Sequence, residues 1–188
     1  MKQTRIFPKI TVTPKAEHSI LAGHPWIYYT EITAAEPYEN GALVDVINQK
    51  GSYLGTGFIS EHSKIRVRLI SRNANDTFDE AFWERRLRYA WEYRKTVMGE
   101  DISCCRVIFG EADSFPGLTV DLFENILVTQ TLSLGMEKMK PVLFPLLARI
   151  LTEGIIRVGD VVAPAQAGTG QAEVAPTPSQ TLNEGRTP

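Results

Sequence analysis

The alternation of apolar and polar residues predicts that the first seventy residues are built mainly from β-strands. Short apolar runs of strand length recur there, and turn residues such as Asn40-Gly41 and Gly51 separate them. The predicted strands are 9–14, 25–32, 42–49, 52–60 and 64–71, with one short helix at 15–23 that ends at Gly23. Strands of this length and spacing are typical of a compact barrel of about 70 residues.

After a polar connector at 71–80, the apolar residues recur with the period of a helix. Over residues 78–99 they fall on one face, and Gly99 marks the end of the helix. Thr77 and Asp79 are both suitable N-caps. The residues that share the apolar face are Trp83, Leu87, Ala90, Trp91 and Met98. The pattern therefore predicts an amphipathic helix with a single buried side.

Three further strands and a second helix are predicted after this helix. The strands are 104–111, 118–123 and 126–132, and a turn at Glu124-Asn125 joins the last two. The second helix covers residues 137–154. Pro141 suits the start of that helix, whereas Pro145 lies one turn further in, where a residue without an N–H tends to kink a helix.

The apolar pattern stops in the last part of the chain. Residues 161–188 are rich in Ala, Gly, Pro, Thr and Gln, with no lysine after Lys140 and no aromatic residue after Phe144. Such a segment cannot bury enough apolar surface to offset the entropy lost on ordering. We expect a disordered tail over residues 154–188. The sequence "GTG" at 168–170 lacks the strand and helix that a nucleotide-binding loop needs, so we interpret it as a chance match.

Composition limits the class of protein without identifying it. The chain has 188 residues and a formal net charge of −2, which gives no overall attraction to nucleic acid or membrane. Its apolar runs are too short to span a bilayer, and its start lacks the apolar part of a signal peptide. Cys104 and Cys105 point to opposite faces of a strand, so a disulfide between them is improbable, and few metal ligands remain. We expect a cytoplasmic protein with reduced cysteines and no metal.

Basic residues are concentrated in the first part of the chain. Residues 1–75 contain nine Lys or Arg and six Asp or Glu, whereas residues 76–153 contain nine and thirteen. In "KIRVRLISR", the side chains of Arg66 and Arg68 lie about 6.6 Å apart on one strand face, opposite Ile65, Val67 and Leu69. This spacing is close to that of phosphates along an extended nucleic acid. The candidate phosphate-binding residues are Lys64, Arg66, Arg68 and Arg72; the alternative is a solvated strand face.

Two other stretches have both a functional and a structural interpretation. In "AGHPWIYY", His24 could stack on a base or form a hydrogen-bonded turn, while Trp26 and Tyr28 are expected to face the core. The loop "GEADSFPG" and the strand after it contain three carboxylates, Glu111, Asp113 and Asp121, with no basic partner nearby in sequence. Because loop acids are usually solvated or used in turns, we expect a structural bend rather than an active site.

Taken together, three ordered segments resemble a known family. "VTPKAEHSILAGHPWIYYTEI", "GALVDVINQKGSYLGTGFISEHSKIRVRLIS" and "FGEADSFPGLTVDLFENILVTQTLSLGMEKMK" resemble the N-terminal half of the RlmI-like class I rRNA methyltransferases, which depend on S-adenosylmethionine (SAM). The best-known members methylate carbon 5 of a cytosine in large-subunit rRNA. The resemblance implies an RNA-binding PUA domain at 1–73, with Lys15 and His24 as further RNA-binding candidates. A connecting module of two strands, a helix and two strands would follow at 74–153.

The resemblance stops where the catalytic domain of the family begins. That Rossmann-like domain carries a glycine-rich SAM loop, an acidic residue for the cofactor ribose and a catalytic cysteine, and the sequence after Glu153 matches none of them. No catalytic, cofactor-binding or metal-binding residue is therefore assigned, and SAM is expected only for the full-length family. One hypothesis is a truncation or a shift of the reading frame near residue 154, which the nucleotide sequence downstream would test.

These observations predict an α+β protein with three segments and leave three functions open. The segments are a PUA-type β pseudo-barrel, a small α/β connecting module and a disordered tail, without a catalytic Rossmann-like domain. The preferred function is the portion of a methyltransferase that binds structured rRNA and cannot methylate alone. The alternatives are a non-catalytic adapter, which would bind a protein partner or itself through the uncovered connecting module, and an active methyltransferase, which would have to bind SAM.

Overall fold

Six strands in the first half of the chain form one curled sheet around a first hydrophobic core. The computed structural model describes residues 5–152. The strands are β1 (Lys9–Val12), β2 (Trp26–Tyr28), β3 (Ile32–Ala35), β4 (Leu43–Ile47), β5 (Tyr53–Ile59) and β6 (Ile65–Ser71), and helix α1 (Pro14–Leu21) follows β1. Their order in the sheet is β2-β6-β5-β4-β1-β3. All neighbours are antiparallel except β1 and β4. The predicted barrel strands are thus present, with one difference.

The difference is that residues 25–32, predicted as one strand, form two strands at opposite edges of the sheet. A 3-10 turn at Tyr29–Glu31 separates β2 from β3, and the Glu31 carboxylate accepts a hydrogen bond from the Tyr28 N–H at 2.9 Å. On β2 it is Ile27 that is fully buried, while Tyr28 is exposed and Trp26 is only partly buried. The expectation that Trp26 and Tyr28 face the core is wrong, because the side of β2 that carries them points away from the barrel.

A partly buried arginine, Arg5, connects residues before and after the barrel strands to the middle of the barrel. The guanidinium of Arg5 donates to both carboxylate oxygens of Asp45, at 2.6 and 2.8 Å, and to the Thr56 hydroxyl at 2.6 Å. It also donates to the carbonyl of Ala74. Asp45 is 2% exposed, so this carboxylate depends on Arg5 for its charge compensation. The hydrogen bond to Asp45 raises the pKa of the Arg5 guanidinium above its ordinary value.

The second half of the described chain is a three-stranded sheet with a helix before it and a helix after it. The elements are α2 (Glu80–Met98), β7 (Cys104–Phe109), β8 (Leu118–Phe123), β9 (Ile126–Thr131) and α3 (Leu134–Thr152). The strands are antiparallel in the order β7-β8-β9, and Glu124-Asn125 forms the predicted turn. This helix, three strands and helix replace the strand-strand-helix-strand-strand order that the resemblance implied. Asp79 caps α2, since its carboxylate accepts from the Phe82 N–H at 2.9 Å.

Helix α3 begins three residues earlier than predicted, because Ser133 rather than Pro141 starts it. The carbonyl of Ser133 accepts from the Glu137 N–H at 3.0 Å, and its hydroxyl faces the Met136 N–H at 3.4 Å. Pro141 and Pro145 both lie inside the helix and are exposed. Being four residues apart they share one helix face, where water can satisfy the carbonyls that lack an N–H partner. The predicted tail, residues 154–188, lies outside the described residues.

Strand β5 and the end of β6 are buried on both faces and separate two hydrophobic cores. Ile59 and Leu69 belong to the barrel core, whereas Phe58 and Ile70, next to them in sequence, belong to the core under α2 and α3. The Phe58 ring stacks on Trp83 of α2 with centroids 6.4 Å apart. Helix α3 approaches the same ring so closely that a Cβ on Gly135 would lie 2.1 Å from Phe58 Cγ.

We therefore expect Gly135→Ala to destabilise the protein. Alanine favours a helix by about 1 kcal/mol over glycine, but overpacking of a filled core costs about 1–3 kcal/mol, and here the clash is with a ring that Trp83 holds in place. Chemical denaturation would measure the loss. The same substitution in a Phe58→Ala background should cost less, because Cγ and Cδ1, two of the three nearest clashing atoms, are gone. Unchanged or increased stability in the wild-type background would contradict the packing described.

Candidate nucleic-acid interface

The pairing of β2 with β6 places aromatic and basic side chains on one outward surface. Trp26 lies opposite Arg68 in the register. The ring of His24, which precedes β2, lies 5.8 Å from the Trp26 ring and stacks on Tyr28 at 6.4 Å. His24 and Tyr28 are both exposed. Exposed rings of this kind can stack on unpaired bases.

Arg68 occupies this surface but is already engaged by a carboxylate. Its guanidinium lies 2.8 Å from Glu111 Oε1 and 5.5 Å from the centre of the Trp26 ring. The same oxygen accepts a hydrogen bond from Trp26 Nε1 at 2.8 Å. The Arg68 side chain is only 17% exposed. Arg68 thus joins the barrel to the loop after β7, and a role for it in phosphate binding stays a prediction.

The other candidate residues differ in their exposure to solvent. Lys64 is exposed in the turn before β6, and Arg72 is exposed immediately after that strand. Arg66 is partly buried and donates to the carbonyl of Glu61. Within residues 5–152, none of these three forms an ion pair with a carboxylate. Lys15 is exposed at the start of α1, at the opposite end of that helix from His24. Lys64, Arg66 and Arg72 thus place positive charge before, along and just beyond β6.

The acidic stretch that follows β7 is a set of ion pairs rather than a group of free acids. Its three carboxylates pair with arginines that lie between 15 and 43 residues away in sequence. The pairs are Glu111–Arg68 at 2.8 Å, Asp113–Arg94 at 2.6 Å and Asp121–Arg106 at 2.7 Å. Sequence reasoning missed these partners because nothing local indicates them. The carboxylates serve the scaffold, as the turn interpretation expected, but by charge pairing rather than by solvation.

Neither cysteine is placed like a nucleophile in an acid–base constellation. Cys104 is exposed on the outer face of β7, while Cys105 is buried and its thiol donates to the carbonyl of Ile102 at 3.4 Å. Burial raises the pKa of the Cys105 thiol. Across residues 5–152 no three His, Cys, Asp or Glu side chains come together as a metal site would need. The helices in that range are too short or too polar to cross a membrane.

Comparison with known proteins identifies the barrel and its relatives. Residues 10–72 match the model of a PUA-like domain family. The chain is 33% identical over 150 residues to the ribosomal RNA large subunit methyltransferase I of Klebsiella pneumoniae, covering 79% of this chain and 38% of that protein. It is 32% identical over 163 residues to the methyltransferase I of Pseudoalteromonas atlantica, covering 85% and 41%. The chain therefore spans about two-fifths of the length of these relatives.

The fold also matches a solved structure. A protein from Streptococcus mutans, described as a SAM-dependent methyltransferase, superposes with a TM-score of 0.67 at 16% identity, covering 77% of this chain and 38% of that one. At this identity the likeness is one of fold alone. It covers more of this chain than the PUA-like domain by itself, so the arrangement of barrel and connecting elements recurs in that protein.

Arg68→Ala should destabilise the protein more than Arg66→Ala. Loss of Arg68 leaves Glu111 partly buried without its cation and uncovers Trp26, which we expect to cost about 1–2 kcal/mol after allowing for partial solvent screening. Arg66 bonds only to a carbonyl at the surface, and its removal should change stability by about 0.5 kcal/mol or less. Urea denaturation followed by tryptophan fluorescence would measure both variants. Equal losses would contradict the structural role assigned to Arg68.

Proposed function

We propose that this chain, which is homologous through its N-terminal part to the ribosomal RNA large subunit methyltransferases I, binds ribosomal RNA through its PUA-like domain. The observation that carries the proposal is the set of basic side chains without carboxylate partners around β6, beside the exposed ring pair of His24 and Tyr28. The residues proposed for RNA contact are Lys15, His24, Lys64, Arg66, Arg68 and Arg72. Such a protein would act in the cytoplasm, where ribosomes are made.

The physical argument rests on which positive charges remain available. The chain as a whole is slightly acidic, so attraction to phosphate has to come from a local surface. Most other arginines of the barrel and connecting sheet are held in ion pairs, while Lys64 and Arg72 are exposed and unpaired within the described range. Two to four phosphate contacts supplemented by stacking would suit a module that positions RNA rather than reads its sequence.

The proposal predicts RNA binding that weakens steeply with salt. Each phosphate contact releases counterions, so the slope of log K against log salt concentration should become shallower by about 0.7 for each contact that Lys64→Ala or Arg66→Ala removes from a single-stranded segment. Fluorescence anisotropy with a labelled rRNA fragment would give the slopes. Lys50→Ala is the matched control, because Lys50 is exposed at the opposite end of β5 from Lys64. Unaltered affinity and slope in both variants would contradict the proposal.

We also propose that the 188-residue chain does not transfer a methyl group by itself. The relatives are named as methyltransferases, and methyl transfer in that family needs a SAM-binding domain of alternating strands and helices. Residues 161–188 lack the apolar periodicity of such a domain. We expect no heat of binding when SAM is titrated into the purified chain. Saturable SAM binding, or transfer of labelled methyl groups to rRNA, would overturn this part of the proposal.

A second candidate function, that of an adapter, is favoured by the outer face of the three-stranded sheet. Four large apolar side chains lie there between 49% and 60% exposed: Phe109, Phe123, Ile126 and Val128. Strand β9 is also a free edge of this sheet, and exposed apolar edges tend to pair. Sedimentation over a range of concentrations would test it, because association that Val128→Lys abolishes would favour an adapter. A monomer that binds RNA would favour the first function.

A further inference from the structure

Two adjoining clefts lie where helix α2 faces the loop after β7 and the end of β6. Their volumes are about 410 and 340 Å³. Arg86 and Ser114 line both clefts, so the Arg86 side chain stands at the boundary between them. The first cleft runs along α2 past Tyr89 and Tyr93, and the second reaches Arg72 beyond β6. The clefts thus extend from the proposed RNA-binding barrel onto the connecting module.

The surroundings of the clefts contain more arginine than carboxylate. Each carboxylate that lines them is matched by one arginine: Asp76 by Arg85 at 3.8 Å, Glu111 by Arg68 at 2.8 Å and Asp113 by Arg94 at 2.6 Å. Arg72 and Arg86 also line the clefts, and over residues 5–152 neither has an ion-pair partner. The lining residues themselves balance, with three arginines and three carboxylates, but Arg68 and Arg94 neutralise Glu111 and Asp113 from outside the clefts. With those two included, arginines outnumber carboxylates by two, which favours an anionic ligand.

Arg86 is half-buried and uses few of its hydrogen-bond donors. Its Nη1 donates to the Ser114 carbonyl at 2.9 Å, and its guanidinium lies 4.5 Å from the centre of the Phe82 ring. Burial lowers its pKa from the ordinary value, because a desolvated cation is disfavoured, although an arginine stays charged at neutral pH. A guanidinium fixed in this way, with the rest of its planar fork available, is suited to phosphate oxygens.

Beside this cation, α2 presents two exposed aromatic rings. Tyr89 is 67% exposed and Tyr93 is 57% exposed. Being four residues apart, they are neighbours on the helix surface. The Arg94 guanidinium lies 4.9 Å from the Tyr93 ring, which leaves Tyr89 as the more open of the two. Aromatic rings next to unpaired arginines are the combination that holds single-stranded nucleic acid, by stacking bases and neutralising phosphates.

We propose that the two clefts around Arg86 bind a single-stranded segment of RNA, with phosphates at Arg72 and Arg86 and bases stacked on Tyr89 and Tyr93. This inference rests on the proposed function, since it extends the same RNA from the barrel across Arg72 onto α2. It adds a second contact surface, outside the PUA-like domain. It also assigns the ligand class: an unpaired strand, because bases inside a duplex cannot stack on side chains.

The test is binding of the full chain to a labelled single-stranded RNA of about 12 nucleotides, measured by fluorescence anisotropy. Tyr89→Ala should weaken binding by about fivefold or more, while Tyr89→Phe, which keeps the ring, should stay within about twofold of wild type. Tyr89 is largely exposed, so both variants should fold. Arg86→Gln should weaken binding and make the salt dependence shallower by about 0.7 in log–log slope.

Two controls separate the clefts from other surfaces. Phe123→Ala removes an exposed ring from the outer face of the three-stranded sheet and should leave RNA binding unchanged. Comparison with a blunt-ended RNA duplex should show that Tyr89→Ala affects only the single strand. If wild type binds RNA and Lys64→Ala weakens it, but Tyr89→Ala and Arg86→Gln do not, the cleft site is wrong and the proposed function stands. If wild type binds no RNA at low salt, both fail.

Discussion

The double burial of strand β5 and of the end of β6 is the constraint on which the rest of the structure depends. Side chains alternate across a strand, so a strand buried on one face normally shows polar residues on the other. Here Phe58 and Ile70 enter one core while Ile59 and Leu69 enter another. Because Phe58 and Ile70 are large and apolar, the barrel cannot expose this part of its wall without cost, and α2 and α3 cover it. The stacking of Phe58 on Trp83 and the close approach of Gly135 to Phe58 set the distance between these helices and the barrel wall.

Arginine has two different uses in this protein, and the difference decides where an anion can bind. Arg5, Arg68, Arg94 and Arg106 each face a carboxylate and hold separate segments together. Others, such as Arg72 and Arg86, have no such partner within the described residues. The net charge of the chain is therefore a poor guide to its chemistry. A slightly acidic protein can carry locally positive surfaces when most of its acids are already neutralised by structural arginines.

The sequence predicted most of the elements because their signals are local. The turns around Gly41 and Gly51 and the helical stripe from Trp83 to Met98 depend on neighbouring residues only, and both are confirmed. The prediction failed where distant contacts decide. Residues 25–32 divide because β2 and β3 pair at opposite edges of one sheet, and Pro141 lies inside a helix that Ser133 begins.

The candidate site was predictable only in part, for the same reason. The basic residues of β6 were visible as a pattern in the sequence. The ion pair of Arg68 with Glu111, however, joins residues 43 apart, and no local rule indicates such a pair. Tyr89 and Tyr93 did leave a signal. Once the apolar stripe of α2 is assigned to the core, the helical period places both tyrosines on the opposite side. An aromatic pair on the polar side of a helix has no packing explanation, and that distinguishes it from the core residues.

The Arg5–Asp45 pair shows that the barrel depends on residues outside the range 10–72 that matches the PUA-like domain model. A fragment cut to residues 10–72 would lack both Arg5 and Ala74, and the Asp45 carboxylate would keep only the Thr56 hydroxyl among its described side-chain partners. The fragment would also lack α2 and α3, which cover Phe58 and Ile70. Recombinant or evolutionary shuffling of this barrel as an independent unit therefore has to carry flanking sequence on both sides, or else replace a buried acid and two apolar side chains.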